Sequence, residues 1–457
     1  MKAASVTGYP AVLAALVDQL DHSQWAPAAA IRNSQFRQLT RLAEWCAVQS
    51  PAFADRLDRA GLTAADLGDP SKFVTLPVLT RRDVQCASHD LYCRQVPSGH
   101  ENIAETRTSG STGEPVVVRR TPVTRLFWHA MTMRDYRWHE QNVSARLCAI
   151  RAGVAECRSH PSWGPPASLL TETGPAFVAP VTADASRLAS WIDECRPGYL
   201  VIYPSTLQAI VRYCQQIGMT FSGLRHIRTI GETLPPPVRR SAEAAFGARV
   251  TDCYSSQEIG YIAIECPDSG LYHVVAESVI VEVLDDAGRP CRPGEVGRIV
   301  VTDLHNFATP LIRYDIGDFG EAAGACPCGR GLPTLKRIAG RQRNFILMPD
   351  GSRYWPVTGF NRCRDVAPIA QYQLVQRSRE TIEARLVVDR PLSAAEEDRL
   401  RSMLHECAGY PFDLTITAVD RIPVGPTGKY EEFVCEVSAD DRPRPEFAGL
   451  VRLKGKP

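Results

Sequence analysis

The chain has 457 residues, 44% of them hydrophobic and 23% charged, enough for about two to four domains of ordinary globular composition. Its 52 basic and 51 acidic residues nearly cancel, which removes the electrostatic case for nucleic acid or an anionic membrane surface as partner. Fifteen cysteines, an odd count in a long chain, argue for reduced thiols in a cytoplasmic setting rather than a secreted disulfide scaffold.

In chain order, the apolar run 11–17 follows Gly8 and Pro10 and stops at Asp18. It reads as a helix over 11–20 with one polar face, not as a signal peptide. No stretch approaches the roughly 18 apolar residues of a membrane span. Phe36, Leu39, Ala43 and Cys46 share one helical face. "SKFVTLPVLTRRDVQ" (71–85) reads as a loop with Pro77, then a helix capped at Thr80. "ETRTSGSTGEPVVVRR" (105–120) places a loop of glycine and hydroxyl residues directly before a strand over 116–119.

From about 145 to 250 strands and helices alternate. "YLVIY" is a buried strand, and a helix opens at Pro204 and Ser205 with Leu207, Ile210, Val211 and Cys214 on one face. "IRTIGE" and "ARVTDCYSSQE" repeat the pattern of an apolar strand ending in a polar loop. Such alternation predicts an α/β fold with parallel sheets covered by helices, and ligands at the carboxyl ends of the strands. Between 275 and 345 "SVIVEVLDDAGRP" and "GRIVVTDL" read as antiparallel strands with a turn at 285–288. Beyond 345, a strand over 381–390, a helix capped at Ser393 with Glu396, and the strand in "FDLTITAVDRIP" predict a small α+β domain. That helix carries Leu400, Met403, Leu404 and Cys407 on one face, and the chain shows no internal repeats.

The loop Ser109, Gly110, Ser111, Thr112, Gly113 lets main-chain N–H groups and hydroxyls approach an anion, as phosphate binding requires. It is not a Walker loop, since no Gly-Lys-Ser/Thr follows, and a plain surface turn is the competing reading. Gly231 and Glu232 stand at one strand end, Tyr254 and Glu258 at the next. An aromatic there can stack on a base and a carboxylate can hold Mg²⁺. Asp318 can accept from a ribose diol. Arg341 marks a domain joint, and Lys429 sits on a Gly/Pro loop. Each alone has a structural reading as a surface or packing residue.

In order and spacing these motifs resemble the adenylate-forming superfamily of acyl-CoA synthetases, adenylation domains and luciferases. The match is nearest the phenylacetate–CoA ligase-like branch and its capsular-polysaccharide-biosynthesis-like relatives. It runs from "LPVLTRRDV" (76–84) to Lys429. The resemblance implies a large N-terminal adenylate-forming domain over 1–344 and a small mobile lid domain over 345–457. It implies that ATP and a small, aromatic carboxylic acid form an acyl-adenylate, whose acyl group passes to CoA. Transfer to a carrier-protein thiol or an amine is the alternative. A catalytically silent, zinc-stabilised binding protein is the alternative of another class, and a homodimer is one option for assembly.

On that resemblance Ser109 to Gly113 cradle the β- and γ-phosphates, and Gly231 and Glu232 line the adenine pocket. Tyr254 stacks near the base, Glu258 binds magnesium, and Asp318 holds the ribose with Arg341 close by. Lys429 meets the α-phosphate and the carboxylate, where one preorganised charge is worth about 10² to 10³ in rate. The family's hinge aspartate is replaced by Asn344, and Ser255 and Gln257 replace a usual Gly and a usual Thr or Ser. The acid pocket has only Tyr203 and Pro204 as candidates.

Cys266, His273, Cys326 and Cys328 match a closed zinc site by ligand type. Their C-x6-H and C-x-C spacings leave plain packing open, with His305 a rival fourth ligand. Relatives of the resembled branch carry zinc on such residues. The other cysteines read as packing residues.

Overall fold

The computed structural model describes residues 8–107, 115–341, 346–351, 353–354, 363–422 and 433–437. The chain divides into two compact units, residues 1–234 with 238–338, and residues 235–237 with 339–457. Among the described residues no helix is long and apolar enough to cross a membrane.

The first unit opens with the helices Tyr9–Ser23, Ala28–Gln49 and Pro51–Ala60. Phe36, Leu39, Ala43 and Cys46 form the predicted buried face of the second. Thr80 and Asp83 exchange side-chain-to-main-chain bonds at 2.8 and 3.2 Å, which caps the helix Arg81–Ala87. A hairpin of β1 (Ala104–Arg107) and β2 (Val117–Arg120) flanks the small-residue loop, and the helix Pro122–Trp138 follows.

The main sheet has twelve strands: β3 (Leu147–Arg151), β4 (Arg158–His160), β5 (Ala176–Pro180), β6 (Tyr199–Ile202), β7 (His226–Thr229), β8 (Arg249–Ser256), β9 (Gly260–Glu265), β10 (Tyr272–Val274), β11 (Val279–Leu284), β12 (Val296–Asp303), β13 (Tyr314–Ala322) and β14 (Thr334–Arg341). Its spatial order is β11-β12-β13-β14-β10-β9-β8-β7-β6-β3-β5-β4. Pairing from β5 through β3, β6 and β7 to β8 is parallel, and β8 to β9 is antiparallel. The parallel half has the alternating strand–helix pattern expected of it, and the antiparallel half begins where that pattern stops.

Local chemistry explains the elements. In the helix Pro204–Ile217 proline occupies the first turn, where no N–H is needed, and Gly218 closes it at φ 67°. Leu207, Ile210, Val211 and Cys214 are buried as one face, each large apolar side chain contributing about 1.5–3 kcal/mol. The glycine-rich strap 323–333 meets the first helical hairpin at Gly331, whose N–H donates to the Gln24 carbonyl at 2.9 Å. A Cβ on Gly331 would lie 1.9 Å from the Ala26 carbonyl oxygen, so only glycine fits.

The second unit has the strand pair β15 (Ile346–Leu347) and β16 (Arg353–Tyr354), the strands β17 (Ile369–Gln376), β18 (Thr381–Val388), β19 (Asp413–Ala418) and β20 (Phe433–Cys435), and the helix Ala394–Ala408. Its four-stranded sheet runs β19-β18-β17-β20, with β18 and β19 parallel across the helix. Ser393 and Glu396 form the expected capping box, and Leu400, Met403, Leu404 and Cys407 face the core.

Beneath β7 and β8 two histidines are sealed from water. His226 bonds Thr251 Oγ1 at 2.7 Å and Gln141 Nε2 at 3.0 Å, with the His139 ring 5.3 Å away. Burial first, then neighbouring cationic groups, push both rings down to about 3, while an unfolded His takes a proton near 6.5. Lowered values mean the unfolded chain binds more protons between those limits, so stability falls as pH drops from about 6.5 towards 3. The replacement His226→Gln is expected to destabilise at pH 7.5, with a penalty that shrinks by about 2 kcal/mol by pH 5. Thermal melts of both proteins at both pH values check this, and a pH-independent penalty would count against the buried neutral ring.

Candidate functional site

The polar end of β8 meets the middle of β13. Tyr254, near the end of β8, donates its hydroxyl to Asp318 Oδ2 at 2.7 Å across 64 residues of sequence. Tyr254 is buried and Asp318 half-buried. Glu258 follows in the turn between β8 and β9, buried, with Arg81 Nη1 3.7 Å from its Oε1. Arg120, the last residue of β2, reaches the same turn, donating to the carbonyls of Gln257 and Ile259 at 3.4 and 3.2 Å. The turn thus carries an acid with two guanidiniums beside it.

Gly231, at φ 74°, and Glu232 follow β7. The Glu232 carboxylate accepts from Ser205 N–H at 2.9 Å and from its hydroxyl at 3.0 Å, so it caps the neighbouring helix. Tyr203 precedes that helix and its hydroxyl accepts from Ala152 N–H at 3.4 Å. Ser255 lies in β8, and Arg341 ends β14. Ser109 to Gly113, Asn344 and Lys429 lie outside the described residues.

A small cleft of about 10 Å³ lies beside Gly260. Phe127, Trp128 and Met131 wall it from the helix Pro122–Trp138, and Tyr261 from β9. Gly260 holds φ 101°, and a Cβ there would come within 3.0 Å of Arg120 Nη2 and 3.4 Å of Trp128. Glycine therefore permits both this backbone conformation and the close approach of Arg120.

Cys266, His273, Cys326 and Cys328 converge, with ligand atoms all within 4.8 Å of one another. The convergence comes from pairing: β10, bearing His273, lies between β9, which Cys266 follows, and β14, which the 323–333 strap enters. Cys326 and Cys266 sulfurs are 3.8 Å apart, and Cys328 Sγ is 3.3 Å from His273 Nε2. Tetrahedral zinc with Zn–S near 2.3 Å requires sulfur separations of about 3.8 Å and slightly shorter sulfur–nitrogen ones, so the residues fit the ion. Burial pushes His273 down to about 4, keeping the neutral ring that a metal needs. Arg330 packs between Trp25 and Trp138, 4.7 and 4.5 Å from their rings, and braces the strap.

His305 is not in this group. Its Nε2 lies 2.9 Å from the Glu277 carbonyl and its ring stacks on Phe127 at 3.7 Å. The reading of every other cysteine as packing also needs correction, because Cys86 and Cys157 are exposed.

Comparison with known proteins bears on this arrangement. Residues 106–308 match the family described as AMP-binding enzyme. Phenylacetate-coenzyme A ligase of Thermus thermophilus is 25% identical over 384 residues, 79% of this chain and 82% of that one. These matches support the adenylate-forming superfamily. They support an adenylate-forming acid–CoA ligase of the phenylacetate–CoA ligase-like branch. Protein CapK of Staphylococcus aureus is 26% identical over 266 residues, 55% of this chain and 57% of its own. The fold agrees with that of 2-hydroxyisobutyryl-CoA ligase in the postadenylation state, at TM-score 0.70 and 20% identity over 91% of this chain and 92% of that one.

At this candidate site the sequence reading passed over Arg81, Arg120 and Tyr261. Arg120 carried a signal: in a strand its neighbour Arg119 points the other way, and Arg119 indeed lies over the Tyr92 ring at 4.3 Å. The Tyr254→Phe variant removes the bond to Asp318 and is expected to lose about 1–2 kcal/mol. A thermal melt unchanged from the parent would show that the pair does not fasten β8 to β13.

Proposed function

We propose that the chain activates a small aromatic carboxylic acid with ATP, releasing pyrophosphate, and passes the acyl group to the thiol of CoA. The observation that carries this reading is the pairing of Tyr254 with Asp318 beside buried Glu258, in a segment that overlaps the AMP-binding match. Tyr254 would stack near adenine, with Gly231 lining that pocket, and Asp318 would accept from the ribose diol. Glu258 would hold the Mg²⁺ that accompanies ATP. Ser109 to Gly113 would cradle the phosphates, and Arg341 would stand near the ribose. The name of the Thermus thermophilus relative supports both the aromatic acid and CoA.

Attack of a carboxylate on the α-phosphorus brings two anions together. Lys429 would offset that charge in the transition state, so no protein nucleophile is required. Swinging of the second unit about Asn344 would expose the adenylate to the thiol.

Cys266, His273, Cys326 and Cys328 would hold a structural Zn²⁺. With four protein ligands the ion has no open position and performs no chemistry. Its part is to fasten the strap 323–333 between β13 and β14.

Carboxylate-dependent exchange of labelled pyrophosphate into ATP tests the reading. Exchange is expected with at least one aromatic acid, and Lys429→Ala is expected to lower it by about 10²-fold or more while the melting temperature holds. Unchanged exchange in that variant would remove Lys429 from the reaction. Elemental analysis of purified protein should find one zinc per chain. Cys328→Ser should lose that zinc and melt several degrees lower, by about 5 °C or more. Wild-type protein free of zinc, or a variant that retains it, would dismiss the site.

A further inference from the structure

The edge of the sheet where β3, β6 and β7 end carries a cation that the ligase reading does not use. On β3, Leu147 to Ile150 are buried and Arg151 is exposed. Side chains alternate along a strand, so Arg151 shares a face with Leu147 and Ala149. Ala149 pairs with Val201 on β6, and Val201 with Arg228 on β7. Arg151 therefore stands two residues beyond that row, on the same face as Arg228, at the carboxyl end of a parallel strand. Ligands collect at such ends.

Its surroundings are polar and aromatic. The Tyr203 hydroxyl, just past the end of β6, accepts the Ala152 N–H at 3.4 Å. Tyr136, from the helix Pro122–Trp138, sets its ring edge-on to Trp163 at 5.5 Å. Both tyrosines are half-buried, and both act on the Arg151 charge. Burial first, and then the Arg228 charge, pull the Arg151 guanidinium down from its usual value, while Tyr203, Tyr136 and Cys253 push it up. An accessible residue in so crowded a setting describes a recess open to solvent.

Folding gives no reason for a second guanidinium here. Arg228 is held by Asp135 at 2.9 Å, and the next arginine along the chain, Arg158, has Glu156 at 3.5 Å. Arg151 has no carboxylate within ion-pair reach among the described residues, and it is set where Arg228 repels it. An anion bound beside it offsets that repulsion.

We propose, resting on the ligase reading above, that the activated acid carries a second carboxylate and that Arg151 receives it. Arg151 is then a specificity-determining residue. Its planar guanidinium matches a carboxylate through two parallel N–H···O bonds. β3 lies three strand spacings from β8, about 14 Å. A ring or a chain of several carbons therefore separates the second carboxylate from the reacting one.

The test measures kcat/KM for pyrophosphate exchange with benzoate, phenylacetate and hexanoate against terephthalate, 4-carboxyphenylacetate and adipate. Hydroxylated monoacids serve as neutral polar controls. Wild type is expected to prefer at least one diacid over its monoacid by about tenfold or more. Arg151→Gln, at an exposed position, is expected to abolish most of that preference, and Arg151→Lys to restore part of it. Arg151→Glu should turn the preference away from diacids and towards an amino-bearing acid. Arg158→Gln removes the same charge from the neighbouring surface and should leave the ratio intact.

Monoacids exchanged as fast as their diacids would overturn this proposal and leave the ligase reading standing. So would a ratio that Arg151→Gln does not move, or that Arg158→Gln moves as far. An effect of Arg151→Gln confined to KM for CoA in the full reaction would assign the cation to CoA instead. No exchange with any acid, from folded protein supplied with Mg²⁺, would overturn the ligase reading and this proposal with it.

Discussion

A guanidinium sealed inside the first unit holds the walls of the site together. Arg228 on β7 meets Asp135, on the helix Pro122–Trp138, with Nε to Oδ2 at 2.9 Å. It also donates to the Tyr261 hydroxyl on β9. Water reaches none of the three freely. In such a place removal of one partner leaves an uncompensated charge and costs about 3–5 kcal/mol. That penalty fixes the rotation of the helix. Thr124, Phe127, Trp128, Met131 and Asp135 fall at i, i+3, i+4, i+7 and i+11, one stripe of an α-helix. With Asp135 pinned to Arg228, the rest of that stripe faces the cleft. The same guanidinium fixes Tyr261 opposite.

The second constraint is the change of direction in the sheet. β8 takes β7 as a parallel neighbour and β9 as an antiparallel one, with a register shift at Tyr254/Ser255. A shift of this kind re-aims side chains along a strand. Here it separates Tyr254, which turns to Asp318, from Glu258 in the following turn. Parallel strands deliver polar loops to one edge of the sheet, and the antiparallel return brings β13 and its Asp318 back to that edge. Neither half of the sheet alone would assemble the group.

How far this was legible in the sequence follows from the range of each interaction. Faces set by helical period were readable: Leu207, Ile210, Val211 and Cys214 bury together, and Ser393 with Glu396 caps its helix. The family resemblance also rests on local motifs, and the comparisons support it. The metal-type cluster was visible as residue types, while C-x-C and C-x6-H gave no reason to join them. The reason is the pairing of β10 with β9 and β14, which sequence spacing does not encode. His305 looked equivalent to His273 in sequence, and only its stacking on Phe127 and its bond to Glu277 separate them. Glu232 was read for a nucleotide pocket, and its bonds to Ser205 come from a helix 27 residues earlier.

Asp303 shows the same limit. "VVTDLHN" reads as a strand end with a common Asp turn, and the bond from His305 N–H fulfils that local role. What sets this carboxylate apart is its burial. Its surroundings come from the helix Pro122–Trp138, β2 and β9, all distant in sequence. Local turn chemistry supplies main-chain N–H groups of His305 and Asn306, and tertiary packing buries the carboxylate. A buried acid normally resolves that tension with a neighbouring cation, and the cation at hand, Arg120, bonds main-chain carbonyls instead. The imbalance is therefore a property of the folded wall rather than of any motif.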